Sequence, residues 1–397
     1  MYTKAFIPYG GYYSSPFVKW QGSLQNENSI ELGAATAKRW LASKNMEATM
    51  FDYVYVGSTV FQKHWFYSGP WAAALMGAER TPGLHVPQAC STSTTCVGLA
   101  AAGLETGSVN NAFCLMTDRL SNGPHAVWPN PNGPGGEVIS ENWVMENFAK
   151  DPHGKVAMIQ TAENVVKKAG NITKEECDAV TARRYEQYLD ALANDREFQK
   201  RYMFSIEYKK GKKEVGVVET DEGVTPTTLE TLVKLKPVIE GGVLSFGSQT
   251  HPADGNCGII VTTKDKAKEL SSDKNIEIQV LSYGFARAEK AHMAMAVVPS
   301  ANMALEKAGI SVKDVKAIKT HNPFAANDVH MAKEMGIDVM GFNNYGSSLI
   351  YGHPQGPTGG RGIVELIEEL VLLGGGYGLF TGCAAGDTGA AVVIKVS

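Results

Sequence analysis

The sequence predicts an α/β fold made of two duplicated halves. Helical stretches alternate with near-continuous apolar stretches, and the latter are typical of strands in a sheet that is covered on both faces. The chain has 397 residues, which is more than one hydrophobic core normally spans. Both halves also repeat the order strand, Gly/Ser-rich turn, buried helix and strand. A duplicated α/β unit therefore accounts for the length.

Apolar periodicity and turn residues place the elements of the first half. Helices are predicted over 30–45 and 91–104, the latter closed by Gly107, and strands over 51–59, 84–86 and 110–118. Between the first two strands lies an aromatic cluster, which would line a pocket or else belong to a core or a subunit interface. The cluster consists of Trp65, Phe66, Tyr67 and Trp71.

The sequence changes character between about 119 and 246, which predicts a loop domain inserted into the first half. Residues 121–136 are dense in Gly, Pro and Asn and are predicted to be a loop. Helices are predicted over 155–170 and 173–195. The charged stretch 209–223 predicts a solvated hairpin.

The second half follows an apolar strand within 243–264. It is predicted to contain a strand over 275–286, a helix over 299–309, a strand from 315, a loop over 340–360, a helix over 361–375 and two final strands over 377–396.

The composition excludes several classes of function. Lys and Arg number 37 against 41 Asp and Glu, for a net charge of −4, so no broad attraction to nucleic acid is expected. The N-terminal residues lack the apolar run of a signal peptide, and no segment has the length of a membrane span. The six cysteines form no CxxC pairs, which favours a reducing compartment and disfavours a zinc ribbon in this chain. We therefore expect a cytoplasmic protein.

Cys90 is a candidate nucleophile. It lies between a short strand and a buried helix, where unpaired N–H groups and the helix dipole favour a thiolate. A buried, inert cysteine is the alternative. His321, His353 and Cys383 also lie on loops at the ends of predicted strands. A metal site is disfavoured, because no two of these residues have ligand spacing and no carboxylate accompanies them.

Several motifs, in order, resemble the thiolase superfamily over nearly the whole chain. PQACSTSTTCVGLAAAGLETG (87–107) resembles the segment of the nucleophilic cysteine, and GHPQGPTGGR (352–361) is very close to the family's GHPxGxTG. MIQTAENV (158–165) and TTLETLVKLKPVI (227–239) resemble segments of the loop domain, GSQTHPADGNCGIIV (247–261) resembles the coenzyme A loop, and GCAAGDTGAAVVI (382–394) occupies the place of CxGGG.

The resemblance implies a fold and a domain division. It implies two βαβαβαββ halves that form a five-layered αβαβα core. The first half would span 1–265, with the loop domain at about 119–246, and the second 266–397.

The resemblance also implies an acyl transfer in two steps. Cys90 would attack the 3-keto carbon of a 3-oxoacyl-CoA, and His353 would take its proton. His321 and His353 would hold the enolate oxygen of the departing acyl-CoA, and Cys383 would protonate its carbon. The backbone N–H groups of Cys90 and Ala385 would form a second oxyanion hole. Coenzyme A then acts as a substrate, and no metal or redox cofactor is required.

The resemblance also indicates which residues contact coenzyme A, and the sequence departs from the family pattern at two positions. Thr250 and Ser248 are the candidates for contacting coenzyme A. HNPFA (321–325) stands where many thiolases have NEAFA, which resembles the sterol-carrier-type and archaeal branches with HDxF. Ala385 replaces a glycine, which narrows the site.

Two other functions remain open at this point. One is a decarboxylating ketosynthase-type condensing enzyme, but those lack a second cysteine such as Cys383. The other is a non-catalytic acyl-CoA-binding subunit, which would be expected to lose one of the four reactive residues.

Aromatic residues and analogy with relatives suggest the substrate class and the partners. The aromatic residues at 64–71, with Trp128 and Trp143, would suit a bulky acyl group, as in cleavage of 2-benzoylsuccinyl-CoA to benzoyl-CoA and succinyl-CoA. A short- or medium-chain 3-oxoacyl-CoA is the alternative. A homodimer or higher oligomer is expected. Some relatives with a histidine at the His321 position work with a small zinc-ribbon/OB-fold partner subunit, and the analogy leaves open that this chain is catalytic only alongside such a partner.

Overall fold

The computed structural model describes residues 1–211 and 214–397. Its strands are β1 Phe6–Ile7, β2 Tyr12–Ser14, β3 Val18–Lys19, β4 Tyr53–Gly57, β5 Gly83–Val86, β6 Asn111–Arg119, β7 His125–Pro129, β8 Val138–Asn142, β9 Ile206–Lys210, β10 Glu214–Val218, β11 Ala253–Thr262, β12 Ile278–Arg287, β13 Val315–His321, β14 Gly376–Ala384 and β15 Thr388–Val396. Its helices are α1 Ser29–Ser43, α2 Ser68–Met76, α3 Thr92–Thr106, α4 Trp143–Ala149, α5 Met158–Ala169, α6 Lys174–Lys200, α7 Leu229–Leu232, α8 Lys264–Leu270, α9 Val297–Ala308, α10 Ala325–Met335, α11 Ser348–Tyr351 and α12 Thr358–Leu372.

The strand pairing confirms the predicted duplication. In the first half β4 is parallel to β6, β6 is antiparallel to β11, and β11 is antiparallel to β1. In the second half β13 is parallel to β14, β14 is antiparallel to β15, and β15 is antiparallel to β12. Strand β5 adds a parallel edge to the first half. The two half-sheets are continuous, because β1 pairs with both β11 and β12.

Helices separate and cover the two half-sheets in the expected five layers. α3 and α12 contact each other and strands of both halves, and their apolar residues share one buried cluster with both sheets. α1 and α2 cover the outer face of the first half, and α9 and α10 cover that of the second. α3 and α12 therefore form the central layer, between the two half-sheets.

Local sequence explains where these helices begin and end. α1 begins after Asn28, whose side chain accepts from the N–H groups of Ile30 and Glu31. α3 ends at Gly107, which adopts a left-handed φ of 74° that glycine tolerates best. No helix among the residues described is both long and apolar enough to cross a membrane.

The segment between β6 and β11 carries α4 to α7 and two hairpins. The prediction of a loop at 121–136 is wrong in part, because β7 begins within it and pairs with β8, and only the Pro/Asn/Gly-rich residues 130–136 form the turn. The predicted charged hairpin is found as β9 and β10, although Lys212 and Lys213 lie outside the described residues. A short helix, α11, also interrupts the loop predicted at 340–360.

A buried ion network joins this segment to the central layer. Arg361, in the first turn of α12, is fully buried and pairs with Asp221 at 2.7 Å and Glu365 at 2.9 Å. Removing one partner of such a network would leave an uncompensated buried charge. The network therefore fixes α12, and with it the loop that precedes α12.

Candidate active site

The four reactive side chains predicted from the sequence lie at equivalent ends of strands and helices. Cys90 lies in a 3-10 turn between β5 and α3, and His353 lies in the loop between α11 and α12. His321 is the last residue of β13, and Cys383 is the second-last residue of β14. Atoms of Cys90, His321 and His353 lie within 4.8 Å of one another. The duplicated fold thus brings residues from both halves to one edge.

Cys90 and His353 form a hydrogen-bonded pair. The Sγ of Cys90 is 3.1 Å from Nε2 of His353 and 3.2 Å from Oε1 of Gln355. Nδ1 of His353 lies 2.6 Å from the hydroxyl of Thr358. When Nδ1 donates to that hydroxyl, Nε2 is left with the lone pair that accepts the Cys90 proton. A nucleophile, a base and a group that orients the base are therefore present.

Burial keeps Cys90 in the thiol form at rest, contrary to the thiolate expected from its place before a helix. Burial raises the pKa of Cys90 to about 12, although the backbone N–H groups of Ala385 and of Cys90 itself act in the opposite direction. The sequence identified those N–H groups but could not show that the sulfur is almost fully buried. The proton must therefore pass to His353 during the reaction.

This raised pKa predicts a steep pH dependence for alkylation. Because the thiolate is the reactive species, the rate of Cys90 modification by iodoacetamide should rise about tenfold per pH unit from pH 7 to pH 10. Peptide mass mapping over time measures this rate for each cysteine. Cys96, which is fully buried in α3, is the internal control and should stay unmodified. A rate that is level across this range would show a thiolate–imidazolium pair instead.

The ring of His321 packs against that of His353 at a tilt of 33°, and one of its nitrogens has no partner among the described residues. The ring centroids are 4.1 Å apart. Burial lowers the pKa of His321 to about 3 and lowers that of His353 well below its usual range, so both rings are neutral at physiological pH. Nδ1 of His321 lies 2.9 Å from the hydroxyl of Ser348. Nε2 is buried and has no partner among the residues that the structure describes.

Cys383 is fully buried and hydrogen-bonded to an amide. The side-chain Nδ2 of Asn327 donates to its Sγ over 3.0 Å. Burial and the neighbouring Cys90 raise the pKa of Cys383, whereas the Asn327 amide lowers it. The resting form is a thiol, which suits a proton donor, and the amide stabilises the thiolate that forms once the proton has left.

A buried carboxylate fixes the loop that carries His353. Asp118, at the end of β6, accepts from the N–H of Gly356 at 2.8 Å and from the N–H groups of Thr59 and Val60. Ser93, in the first turn of α3, donates to the carbonyl of Gly356. Elements of the first half therefore hold a loop of the second half against Cys90.

Cys90, His321 and His353 also have the composition of a soft metal site. The sequence disfavoured a metal because no two of these residues have ligand spacing and no carboxylate accompanies them, yet folding brings one ligand atom of each within 4.8 Å. A thiolate and two neutral imidazoles suit Zn²⁺. Such an ion would occupy the atoms that the Cys90–His353 proton transfer needs, so the two uses exclude each other.

A cavity of about 610 Å³ opens onto Cys90 and His353. Its walls are mostly apolar, and aromatic rings come from Trp143, Phe148 and Phe324. The cavity reaches Cys90, His353, Ala385 and Thr250, whereas His321 and Cys383 are not part of its surface. A ligand in the cavity would therefore meet the Cys90–His353 pair first.

Of the remaining candidate residues, some line the cavity and others do not. Thr250 lines the cavity and donates from Oγ1 to the carbonyl of Ser348 at 2.5 Å. Ser248 is buried against Ser245 and does not line the cavity. The aromatic cluster at 64–71 does not line it either, and Phe66 is 88% exposed.

Four residues with direct contacts to the reactive groups were not singled out in the sequence. They are Gln355, Thr358, Asn327 and Ser348. Gln355 and Thr358 lie inside the GHPQGPTGG motif, and a search for hydrogen-bond partners within that motif could have found them. The other two depend on how α10 and α11 pack, for which the sequence carries no local signal.

Comparisons with known proteins agree along nearly the whole chain. The family model for the thiolase N-terminal domain matches residues 11–265, and that for the thiolase C-terminal domain matches residues 274–396. The human mitochondrial 3-ketoacyl-CoA thiolase is 27% identical over 389 residues, 96% of each chain. An acetyl-CoA acetyltransferase of Pseudomonas aeruginosa is 26% identical, over 94% of this chain and 95% of its own.

Solved structures show the same fold. The crystal structure of human mitochondrial 3-ketoacyl-CoA thiolase has a TM-score of 0.90 at 26% identity and covers 99% of both chains. That of the Bacillus anthracis acetyl-CoA acetyltransferase has a TM-score of 0.89 at 25% identity, covering 100% of this chain and 99% of its own. With both family models matched in order across nearly its full length, the chain belongs to the thiolase family and is an acyl-CoA acyltransferase.

Proposed function

We propose that this protein cleaves a 3-oxoacyl-CoA with coenzyme A, or runs the reverse condensation, through an acyl-Cys90 intermediate. The observation that carries the proposal is the hydrogen-bonded pair of Cys90 Sγ and His353 Nε2, 3.1 Å apart, on the wall of a mostly apolar cavity. A second thiol, Cys383, is close enough to Cys90 for that neighbour to raise its pKa. The relatives are named 3-ketoacyl-CoA thiolase and acetyl-CoA acetyltransferase, and one solved relative is a complex with CoA.

In the first step His353 takes the proton of Cys90, and the sulfur attacks the 3-keto carbon. The N–H groups of Cys90 and Ala385 already act on the Cys90 sulfur. They are the donors available to the oxyanion that forms on the attacked carbonyl. The bond between C2 and C3 then breaks, which leaves an acyl group on Cys90 and an enolate on the departing acyl-CoA.

The enolate needs a donor at its oxygen and a proton at its carbon. The unpaired Nε2 of His321 and the ring of His353 are the candidates for the oxygen. Cys383 gives its proton to C2. Coenzyme A, as a substrate, then takes the acyl group from Cys90: its thiol gives its proton to the Cys383 thiolate, and the departing Cys90 sulfur recovers the proton held by His353. The catalytic groups in these steps are all protein groups, and coenzyme A takes part as a substrate.

The second cysteine separates this proposal from the two alternatives. A ketosynthase-type enzyme releases CO₂ to form its carbanion and has no use for a base such as Cys383. A non-catalytic binding subunit would need neither the hydrogen bond between Cys90 and His353 nor that between Asn327 and Cys383.

Coenzyme A would approach through the cavity mouth. Thr250 is on the cavity surface and is the better placed of the two predicted contacts, because Ser248 is buried. Oligomerisation, the small zinc-ribbon/OB-fold partner and the 1–265/266–397 domain division stay predictions. Full activity of the isolated chain would remove the need for that partner.

The cavity walls favour a bulky acyl group. Trp143, at the start of α4, lines the cavity and is fixed by its Nε1 donating to the carbonyl of Thr59 at 3.0 Å and by an edge contact with Phe61. Among the lining residues that the structure describes, Asp151 is charged and there is no lysine or arginine. An aromatic acyl group without a carboxylate fits this surface best. Cleavage of 2-benzoylsuccinyl-CoA would place such a group, benzoyl, on Cys90, while the carboxylate would leave with succinyl-CoA.

A thiolysis panel tests both the activity and the acyl class. With acetoacetyl-CoA, 3-oxo-3-phenylpropanoyl-CoA and 2-benzoylsuccinyl-CoA, we expect kcat/KM to be higher for the phenyl substrates. Trp143→Ala should lower it about tenfold for those substrates and little for acetoacetyl-CoA, since an aromatic contact contributes roughly 1 kcal/mol beyond burial.

Trp128→Ala is the matched control, because Trp128 is half exposed on β7 and does not line the cavity. No cleavage of any substrate would overturn the proposed activity. Cleavage of acetoacetyl-CoA alone would overturn the acyl class.

A further inference from the structure

His321 lies in the site with a proton whose position decides what it can do. A neutral imidazole carries its proton on either Nδ1 or Nε2. Only the tautomer with the proton on Nε2 can donate toward a thioester oxygen. The opposite tautomer would present a lone pair beside Cys90 and His353, which repels an oxyanion. His321 is 1% exposed, so no bulk water exchanges this proton freely.

The partner at Nδ1 therefore sets the function of Nε2. That partner is the hydroxyl of Ser348, at 2.9 Å, on the first residue of α11. The same hydroxyl is 3.2 Å from Oδ1 of Asn322, so its one proton has two acceptors in reach. The N–H of Asn322 donates to Ser348 Oγ over 3.3 Å and occupies one of its lone pairs.

The surrounding hydrogen bonds favour donation to His321. Oδ1 of Asn322 already accepts from the N–H of Leu349 at 3.1 Å, and its Nδ2 donates to Asp328 at 2.7 Å. Oδ1 of Asn322 therefore keeps a hydrogen-bond donor, the N–H of Leu349, when the Ser348 proton goes to His321. The shorter of the two contacts of Ser348 is the one to Nδ1.

We propose that Ser348 is a positioning residue, which donates to Nδ1 of His321 and so fixes the proton on Nε2, where it faces the enolate oxygen. The inference rests on the proposed thiolase activity for its kinetic consequence, but the tautomer itself does not. The hydrogen bond explains how a buried histidine can act as an oxyanion donor, because the Ser348 hydroxyl selects one of the two neutral tautomers of the ring.

The direct test is NMR of protein labelled with ¹⁵N-histidine, with His321→Gln used to assign the His321 signals. The two nitrogen shifts distinguish a protonated Nε2 from a protonated Nδ1. We expect the Nε2–H form alone in the wild type and a mixture of both forms in Ser348→Ala. Ser347→Ala is the matched control, because Ser347 is equally buried and its hydroxyl has no partner among the described residues.

Kinetics give the second test. Ser348→Ala should lower kcat about tenfold with KM within twofold, and Ser347→Ala should change neither. In a His321→Gln background the same Ser348→Ala change should cost less than twofold, because an amide donor has no tautomer to set.

Each result decides the matter. A wild-type Nδ1–H form overturns the proposal even if Ser348→Ala fails to fold. An equal loss of kcat in the two backgrounds shows that Ser348 acts only through packing, and overturns it as well. A protein without thiolysis activity but with the Nε2–H form would overturn the proposed function and leave the positioning role standing.

Discussion

Replacing Cys90 by alanine is expected to lower kcat for thiolysis by about 10⁴-fold or more, because no other group can carry the acyl intermediate. The other cysteine near the site, Cys383, accepts a hydrogen bond from Asn327 and is not on the cavity surface. Intact-protein mass after a short incubation with acyl-CoA thioesters should show one added acyl group in the wild type and none in the variant. The added mass also identifies the acyl class.

Cys96→Ala is the control for this experiment. Cys96 is fully buried in α3, within two turns of Cys90, and contacts none of the proposed reacting groups. It should keep the adduct and most of the activity. An adduct that persists in Cys90→Ala would assign the nucleophile elsewhere. The absence of any adduct in the wild type, with calorimetry still showing CoA binding, would favour a binding subunit.

The sequence predicted the duplicated fold well because both halves carry the same strong local signals. Apolar strands, small-residue helices and Gly-rich turns recur, and β4, β6, β11 and β1 find their counterparts in β13, β14, β15 and β12. The candidates Cys90, His321, His353 and Cys383 came from turns next to predicted elements together with the motifs that resemble the thiolase superfamily. Folding brings Cys90, His321 and His353 close together, and the catalytic roles of all four stay predictions.

Features that depend on packing could not be predicted. The hairpin of β7 and β8 was taken for a loop because its turn, rich in Gly and Pro, dominates the composition of the segment. The thiolate expected at Cys90 was wrong because burial outweighs the local N–H groups. The contacts of Ser348 and Asn327 with the reactive residues arise only when α11 and α10 pack against β13 and β14.

Replacing Cys383 by alanine should stop proton transfer at C2 and leave the acylation of Cys90 intact. If Cys383 moves the proton at C2, the variant should lose about 10³-fold in kcat and should no longer exchange the C2 hydrogens of an acyl-CoA with deuterium from solvent. Acylation of Cys90 by a thiophenyl ester should persist, because that leaving group departs without protonation. Exchange measured by mass spectrometry and acylation measured by protein mass report the two steps separately.

Cys177→Ala is the matched control, because Cys177 is also buried with a raised pKa but lies on α6, away from the site. Asn327→Leu should reduce exchange in the same direction as Cys383→Ala but less, since it removes the amide that stabilises the Cys383 thiolate while leaving the sulfur in place. Undiminished exchange in Cys383→Ala would move the role of base at C2 to His353, which already takes the Cys90 proton in the proposed first step. Burial holds the pKa of His353 well below its usual range. A weak base of that kind would then have to serve Cys90 and C2 in turn, and the second thiol would be left without a chemical role.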